Sequence, residues 1–460
     1  MIAAWRGRAA AERHVWLALA AITLAALALR VVWVLYTDTY PAGGDPHWYY
    51  NVATNIARGK GVVADHYRTI FDPDPVIGEP TAAWPPAFSF LLAGLWQITG
   101  ISNEAAKLVN AALGAATVPF VYLLARRLFS TGAGLLAAGV FAVFPNAIAW
   151  TPVLFPEQLF TLLFVAGLWL LVAAMSAERP RTTALAFGAI AGLAIFTRGE
   201  GAVLLAAGAL FWLHRDGWRR GAGLTALAAG AAVVVLLPWT VRNRITMGAW
   251  IPVATNSGVA LRIGHSPWAT GTTDVVTPPE PVDGVPIWEH TYHPETEVRS
   301  YREYTRRAIK YALTHPRREL DLSRWKVYHL YRSDAWVVEW VKVGGAQAIH
   351  SAALEDALWR LFEVSHYVLM FAAVGTAAFW LRWSPGRLLL ANTVLVWTAF
   401  HIVISAEPRY HVPLFPVFAV AAGGGVVLAG RAATTSWRRF RDGADATPHG
   451  LVAEGAEGQP

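Results

Sequence analysis

The sequence predicts an all-α polytopic membrane protein. It should have about ten transmembrane helices, an extracytoplasmic first loop and a larger extracytoplasmic segment of mixed helical and irregular structure. Of 460 residues, 55% are hydrophobic and only 15% charged, whereas soluble domains carry about 25% charged residues. Mean hydropathy is +0.38. The apolar residues come in blocks, at 14–36, 105–124, 134–150, 159–174 and 222–239, each near or at the roughly 20 residues that cross a hydrocarbon core. Basic clusters punctuate the blocks.

The first block is too long for a signal-peptide core, and no small-residue cleavage site precedes residues 36–40, so it reads as a retained anchor. Short loops rich in Lys and Arg stay in the cytoplasm. The clusters are Arg6/Arg8/Arg13, Arg126/Arg127, Arg179/Arg181, Arg215/Arg219/Arg220, Arg382/Arg387 and Arg438/Arg439/Arg441. Placing all of them inside gives one consistent path, with spans at 15–36, 105–125, 134–151, 158–175, 183–197, 201–214, 222–241, 363–381, 387–405 and 411–430. The chain then divides into an N-terminal membrane module, 1–241, whose outer loop 37–104 holds candidate catalytic residues; an extracytoplasmic domain, 242–362; C-terminal membrane helices, 363–430; and a disordered cytoplasmic tail, 431–460. The apolar stretch 84–98 could span by hydropathy, but that would put Arg126/Arg127 outside, so it is expected to lie on the outer interface. The outer segment carries Pro278-Pro279-Glu280-Pro281 and then a helical stretch at 295–313. Gly423-Gly424-Gly425 in the last span permits close helix packing rather than phosphate binding.

Composition also limits the chemistry. With no cysteine there are no disulfides and no thiolate metal sites. A net charge of +7 would suggest nucleic acid in a soluble protein, but the basic residues sit at helix ends, where topology accounts for them. No nucleic-acid partner is expected; membrane lipids are.

The polar residues at span ends carry the functional signal. Asp45, in Gly44-Asp45-Pro46-His47-Trp48-Tyr49, follows the first span, and Pro46 as first helical residue would make Asp45 an N-cap. Glu157 opens an apolar helix, where the macrodipole favours it, although a carboxylate at the hydrocarbon boundary is costly unless something uses or pairs it. Arg198 and Glu200 sit between two apolar spans and could simply pair. Arg242 and Arg244 break the positive-inside trend, as does Arg409, next to Tyr410, between the last two spans. Glu79 is an alternative second carboxylate, and His47 and Lys60 are further polar candidates. Asp72-Pro-Asp74 has a metal-diphosphate form but reads as a polar turn; His265, His290 and His293 show no tight metal spacing.

The topology puts Asp45, Glu157, Arg198, Arg242 and Arg409 on one face. Arginine binds phosphate oxygens bidentately and stays charged, and a carboxylate can take the proton from an attacking hydroxyl. A transporter would instead carry charges near the midplane and broken helices in repeated halves. An acyltransferase would want a histidine buried in a span, for which His401 is the candidate.

The order of these motifs resembles the GT-C superfamily of membrane glycosyltransferases, in the group related to protein O-mannosyltransferases and lipid A aminoarabinose transferases. The resemblance rests on Gly44 to Tyr49, Trp84-Pro85-Pro86-Ala87-Phe88, Ala125-Arg126-Arg127-Leu128-Phe129 and Glu157-Gln158-Leu159-Phe160. Arg242-Asn243-Arg244 through Gly248, Asn256, Gly258, Ile263-Gly264 and Pro408-Arg409-Tyr410 with Pro413 and Pro416 support it. It implies a polyprenyl-phosphate sugar donor, an envelope glycan, lipid or protein acceptor, inversion at the anomeric carbon, and a bacterial-type inner membrane. It implies Asp45 as general base, Glu157 as a second carboxylate, Arg198, Arg242 and Arg409 on the donor phosphate, and a divalent Mg or Mn ion on Asp45 and Glu157. Two departures stand out. Glu79-Pro80-Thr81 lacks the lysine of the aminoarabinose transferases, and Asp45-Pro46 replaces the adjacent Asp-Glu of the mannosyltransferases. Neither substrate therefore carries across.

Overall fold

The computed structural model describes residues 2–41, 44–66, 76–273, 294–345, 349–381 and 384–445. Asp72-Pro-Asp74, residues 278–281, His290, His293 and Arg382 lie outside them. The helices are α1 (Ile2–Thr37), α2 (Gly44–Ala57), α3 (Ala87–Thr99), α4 (Asn103–Leu128), α5 (Thr131–Val143), α6 (Pro145–Ala149), α7 (Glu157–Ala173), α8 (Pro180–Thr197) and α9 (Ala202–Thr246). There follow α10 (Asn256–Gly264), α11 (Pro294–Thr314), α12 (Pro316–Tyr331), α13 (Val337–Val343), α14 (Ala352–Gly375), α15 (Ala377–Trp380), α16 (Pro385–Val403) and α17 (Phe415–Asp445). Among the described residues the one sheet is an antiparallel hairpin, β1 (Val63–His66) and β2 (Val76–Pro80), with Ala64 opposite Glu79.

Among the described residues, eight helical stretches are long and apolar enough to cross a membrane. One of them, Gly199–Thr246, contains two of the expected spans. Gly217, at φ 76°, ψ 171°, breaks the helical geometry inside α9, a backbone that costs a residue without Cβ little. The expected span 134–151 is divided: α5 is 13 residues long, and Pro145, which cannot continue a helix from its own N–H, opens α6 after an extended Phe144. The stretch 84–98 forms α3, also 13 residues, about 20 Å and too short to span. It packs its buried face, Phe88, Leu92 and Trp96, with Trp48 and Tyr49 of α2 in an apolar cluster. Helix α17 runs to Asp445, so residues 431–445 of the expected disordered tail are helical. Their Arg-, Ala- and Trp-containing sequence continues the helix at little cost.

Buried aromatics fill the bundle: Phe160, Phe164, Phe187, Trp212 and Trp397 are all at most 2% exposed. The glycine run of α17 closes against its neighbours, since a Cβ on Gly424 would lie 2.4 Å from the Phe129 ring and one on Gly425 2.1 Å from Thr376 Oγ1.

The ends of these helices sort into two sets. At one end, Arg127 donates to Ser176 Oγ at 2.8 Å, Arg215 to the Ala174 carbonyl at 2.9 Å, and Arg387 lies over the Phe129 ring. At the other, the end of α8 and the start of α7 meet a 3₁₀ turn, Pro408–Leu414. Helix α10 is held there by two glycine contacts. A Cβ on Gly258 would lie 2.6 Å from the Tyr301 carbonyl, and one on Gly264 1.9 Å from that of Ile404.

Candidate active site

At this second end a cavity is lined by Asp45, Tyr49, Trp84, Arg198, Glu200, Asn256, Ser257, His401, Arg409 and Tyr410, among others. Asp45, Arg198, Asn256 and Arg409 reach it because helices begin or end there. Helix α2 starts at Gly44, so Asp45 lies in its first turn rather than capping it, a difference of one residue in the boundary. The side chain is 32% exposed, and Arg409 Nη2 lies 3.4 Å from its Oδ2.

Pro156 precedes α7 and leaves Glu157 as its first residue, where the free N–H groups favour a negative charge. Its side chain is 2% exposed. Oε1 accepts from Arg198 Nη1 at 2.5 Å and lies 3.5 Å from Arg409 Nε, while Oε2 has no hydrogen-bond partner. Arg198 leaves α8 in extended conformation, and its Nη2 donates to Glu200 Oε1 at 2.6 Å. Both ends of its fork are therefore engaged by carboxylates. The pairing with Glu200 expected as the alternative to a binding role is present, with Glu157 added.

Arg409 is placed differently. Its guanidinium lies 4.0 Å from the Phe155 ring centroid, and Nη2 is 3.5 Å from Glu407 Oε2. Nη1 is buried without a hydrogen bond. Tyr410 stacks on His401 with ring centroids 5.2 Å apart and lies under the Arg198 guanidinium. Burial and the charge of Asp45 push the Tyr49 phenol well above its ordinary value, so it can donate a proton in a hydrogen bond but not act as a base.

Glu157 lies behind the cavity wall, bonded to Arg198, and the remaining candidates do not line the cavity either. Arg242 donates to the carbonyls of Thr81 at 2.8 Å and Val62 at 2.7 Å and packs over the Trp239 ring. It clamps loop backbone instead of facing a ligand. Glu79 sits in β2. Lys60 is exposed in the turn after α2, and His47 contacts the Pro41 carbonyl at 3.2 Å.

Sequence reasoning missed Glu407 as a member of this network, although it stood two residues from Arg409 in a quoted motif. It also missed Asn256 and Ser257 as cavity residues, visible only as part of the stretch ending at Gly258.

The family model described as dolichyl-phosphate-mannose-protein mannosyltransferase matches residues 83–241. The fold is similar to the Archaeoglobus fulgidus oligosaccharyltransferase in complex with Zn and sulfate, with TM-score 0.53 and 16% identity over 94% of this chain and 52% of that one. Its apo form gives 0.52 and 14%, over 95% and 53%. ArnT from Cupriavidus metallidurans bound to undecaprenyl phosphate aligns more loosely, with TM-score 0.44 and 15% identity over 88% of this chain and 59% of that one. No curated protein matches by sequence. The chain spans about half the length of the solved oligosaccharyltransferase and shares its fold.

Proposed function

We propose that this chain is an inverting glycosyltransferase that moves a sugar from a polyprenyl-phosphate donor to an acceptor hydroxyl. The reaction takes place at the membrane face opposite the basic helix ends, the extracytoplasmic face of a bacterial-type inner membrane. The observation that carries the reading is the pairing of a part-exposed carboxylate, Asp45, with an arginine, Arg409, whose Nη1 has no partner in a cavity at the helix ends. The match to a dolichyl-phosphate-mannose family model and the undecaprenyl phosphate bound by the ArnT structure agree with such a donor.

In this reaction Asp45 accepts the proton of the acceptor hydroxyl as its oxygen bonds to the anomeric carbon. The bond from that carbon to the donor phosphate oxygen breaks, and its electron pair leaves with the phosphate. A phosphate departs as a stable anion, so one base suffices, unlike the two carboxylates of glycoside hydrolysis. Arg409 offers Nη1 to the leaving phosphate, and Arg198 holds Glu157 beside it.

Four carboxylates, Asp45, Glu157, Glu200 and Glu407, share two guanidiniums, and Glu157 Oε2 is buried without a partner. That surplus fits a hard divalent cation such as Mg²⁺ or Mn²⁺ held by Asp45 and Glu157. Such an ion would offset charge on the phosphate.

The test is purified protein in lipid supplied with a panel of polyprenyl-phosphate sugars and scored for release of polyprenyl phosphate. Asp45→Asn keeps the size of the side chain in the first turn of α2 and removes its basicity. It should insert, purify and bind donor normally, yet turn over at least about a hundredfold more slowly. Near-normal turnover in Asp45→Asn would remove it as the base. Donor moved across the bilayer without cleavage would establish the rival reading, a flippase or transporter.

A further inference from the structure

Asp334, His366 and His411 form a second polar cluster, away from the cavity just described. They come from three elements: the turn after α12, the middle of α14, and the Pro408–Leu414 turn. Their side chains are 0%, 1% and 0% exposed. Among the described residues they are the group whose ligand-type atoms all lie within 4.8 Å of one another.

The hydrogen bonds fix the tautomers. His366 Nε2 lies 3.0 Å from the Tyr331 carbonyl and His411 Nδ1 2.6 Å from the Leu330 carbonyl. A carbonyl can only accept, so those nitrogens carry protons, and in a neutral ring the opposite ones carry the lone pairs. These are His366 Nδ1 and His411 Nε2, both buried without a hydrogen-bond partner. They face the same oxygen, Asp334 Oδ1, at 4.0 and 3.7 Å. The carboxylate is oriented from behind, with Asn146 Nδ2 donating to Oδ1 at 2.5 Å and Trp150 Nε1 to Oδ2 at 2.7 Å.

A closed His–Asp ion pair would bring the ring nitrogen to hydrogen-bond distance, about 2.7–2.9 Å, and neither ring comes so near. The buried Asp334 carboxylate accepts from Asn146 and Trp150 but has neither ring within hydrogen-bond distance. Bonds of about 2.0–2.1 Å to a tetrahedral ion put ligand atoms roughly 3.4 Å apart, a little closer than the 3.7 and 4.0 Å that separate the two ring nitrogens from Asp334 Oδ1. The backbone carbonyls that hold the outer ring N–H groups are the partners that orient metal-bound histidines.

We propose that Asp334, His366 and His411 bind a divalent transition-metal ion of the zinc class, with a fourth position for water. The donor set of two imidazoles and one carboxylate suits Zn²⁺ or Co²⁺ better than Mg²⁺. The ion ties the outer segment to α14 and to the turn that carries Arg409 and Tyr410, and so positions that turn. None of its ligands lines the active-site cavity, so the site stands or falls independently of the sugar-transfer reading.

The test uses the full chain in detergent or lipid discs, exposed to Zn²⁺, desalted, and assayed by elemental analysis. About one ion per chain is expected. Substitution by Co²⁺ should give the visible absorption of a tetrahedral N/O site. His366→Ala, His411→Ala and Asp334→Asn should each fall to background, whereas Asp45→Asn and Glu157→Gln should keep the ion. To guard against variants that misfold, a strong chelator should lower the melting temperature of the wild-type chain, and Zn²⁺ should restore it. The proposal is overturned by wild-type protein that holds less than about a tenth of an equivalent. It is equally overturned if the ion is lost with Glu157→Gln instead of the histidine variants, or if chelator leaves the melting temperature unchanged.

Discussion

Asp45, Glu157, Glu200 and Glu407 crowd around two guanidiniums whose situations differ. Arg198 is saturated by carboxylates, whereas Arg409 keeps Nη1 unengaged. Arg409→Lys removes the planar fork and should lower kcat/KM by about 10–100-fold. Arg242→Lys, outside the cavity, should leave turnover within about threefold and lower the melting temperature instead. The opposite pattern, measured by polyprenyl phosphate release and thermal scans on both variants, would return the donor role to Arg242. Asp45, Glu157, Arg198 and Arg409 were legible because charge at an apolar helix end is expensive and therefore conspicuous. The clamp made by Arg242 was not, because it bonds to backbone carbonyls far away in sequence.

Glu297 was also invisible in sequence, as one acidic residue in a charged helix. Its carboxylate is 2% exposed and accepts from Thr255 Oγ1 at 2.7 Å, Ala82 N–H at 2.9 Å and Thr81 Oγ1 at 2.9 Å. Burial pushes it up to about 7, against the lowering effect of those three donors and of Arg242. The folded chain therefore binds this proton more tightly than the unfolded one. The stability this contributes is full below about pH 4.5 and is lost as pH rises through about 7. Melting temperature should fall between pH 5 and 8, and less steeply in Glu297→Gln. Equal slopes in the two proteins would mean that Glu297 does not titrate in this range.

At the scale of elements, hydrophobic blocks and basic punctuation located the long membrane helices, because length and apolarity are what a bilayer demands of a helix. The Gly217 break falls between the expected spans 201–214 and 222–241. One detail escaped: Pro145 cuts the expected span 134–151, leaving α5 only 13 residues long. Which helices touch was not legible, since packing depends on side chains brought together from distant positions. Helix α10 shows the consequence. Gly264→Ala would place a methyl 1.9 Å from the Ile404 carbonyl, a backbone atom that cannot swing aside. A cost of about 1–3 kcal/mol is expected, seen as a lower melting temperature and a loss of turnover, since α10 lines the cavity. A fully stable, active Gly264→Ala would show that α10 and α16 are not in close contact.

For the whole molecule, the basic helix ends and the candidate site lie at opposite ends of the bundle, which makes sidedness testable. The chain has no native cysteine. A cysteine at Leu320, 77% exposed in α12, should react with an impermeant thiol reagent in intact cells. One at Trp218, 69% exposed beside the α9 break, should react only after permeabilisation. The reverse pattern would invert the protein and place the site in the cytoplasm.

The surplus of carboxylates at the site bears on the end of the catalytic cycle as well as its middle. In the proposed reaction, the polyprenyl phosphate left once the sugar has gone carries more negative charge than the donor did. It would lie near Glu157, Glu200 and Glu407, with two guanidiniums already shared among them. Like charges at this range repel most strongly where water is scarce, so the proposed reaction predicts that the spent carrier leaves readily and inhibits weakly. Glu200→Gln removes part of that repulsion and should tighten inhibition by added polyprenyl phosphate severalfold. The same change should slow steady-state turnover more than the first turnover, turning an enzyme limited by chemistry into one limited by departure of its product.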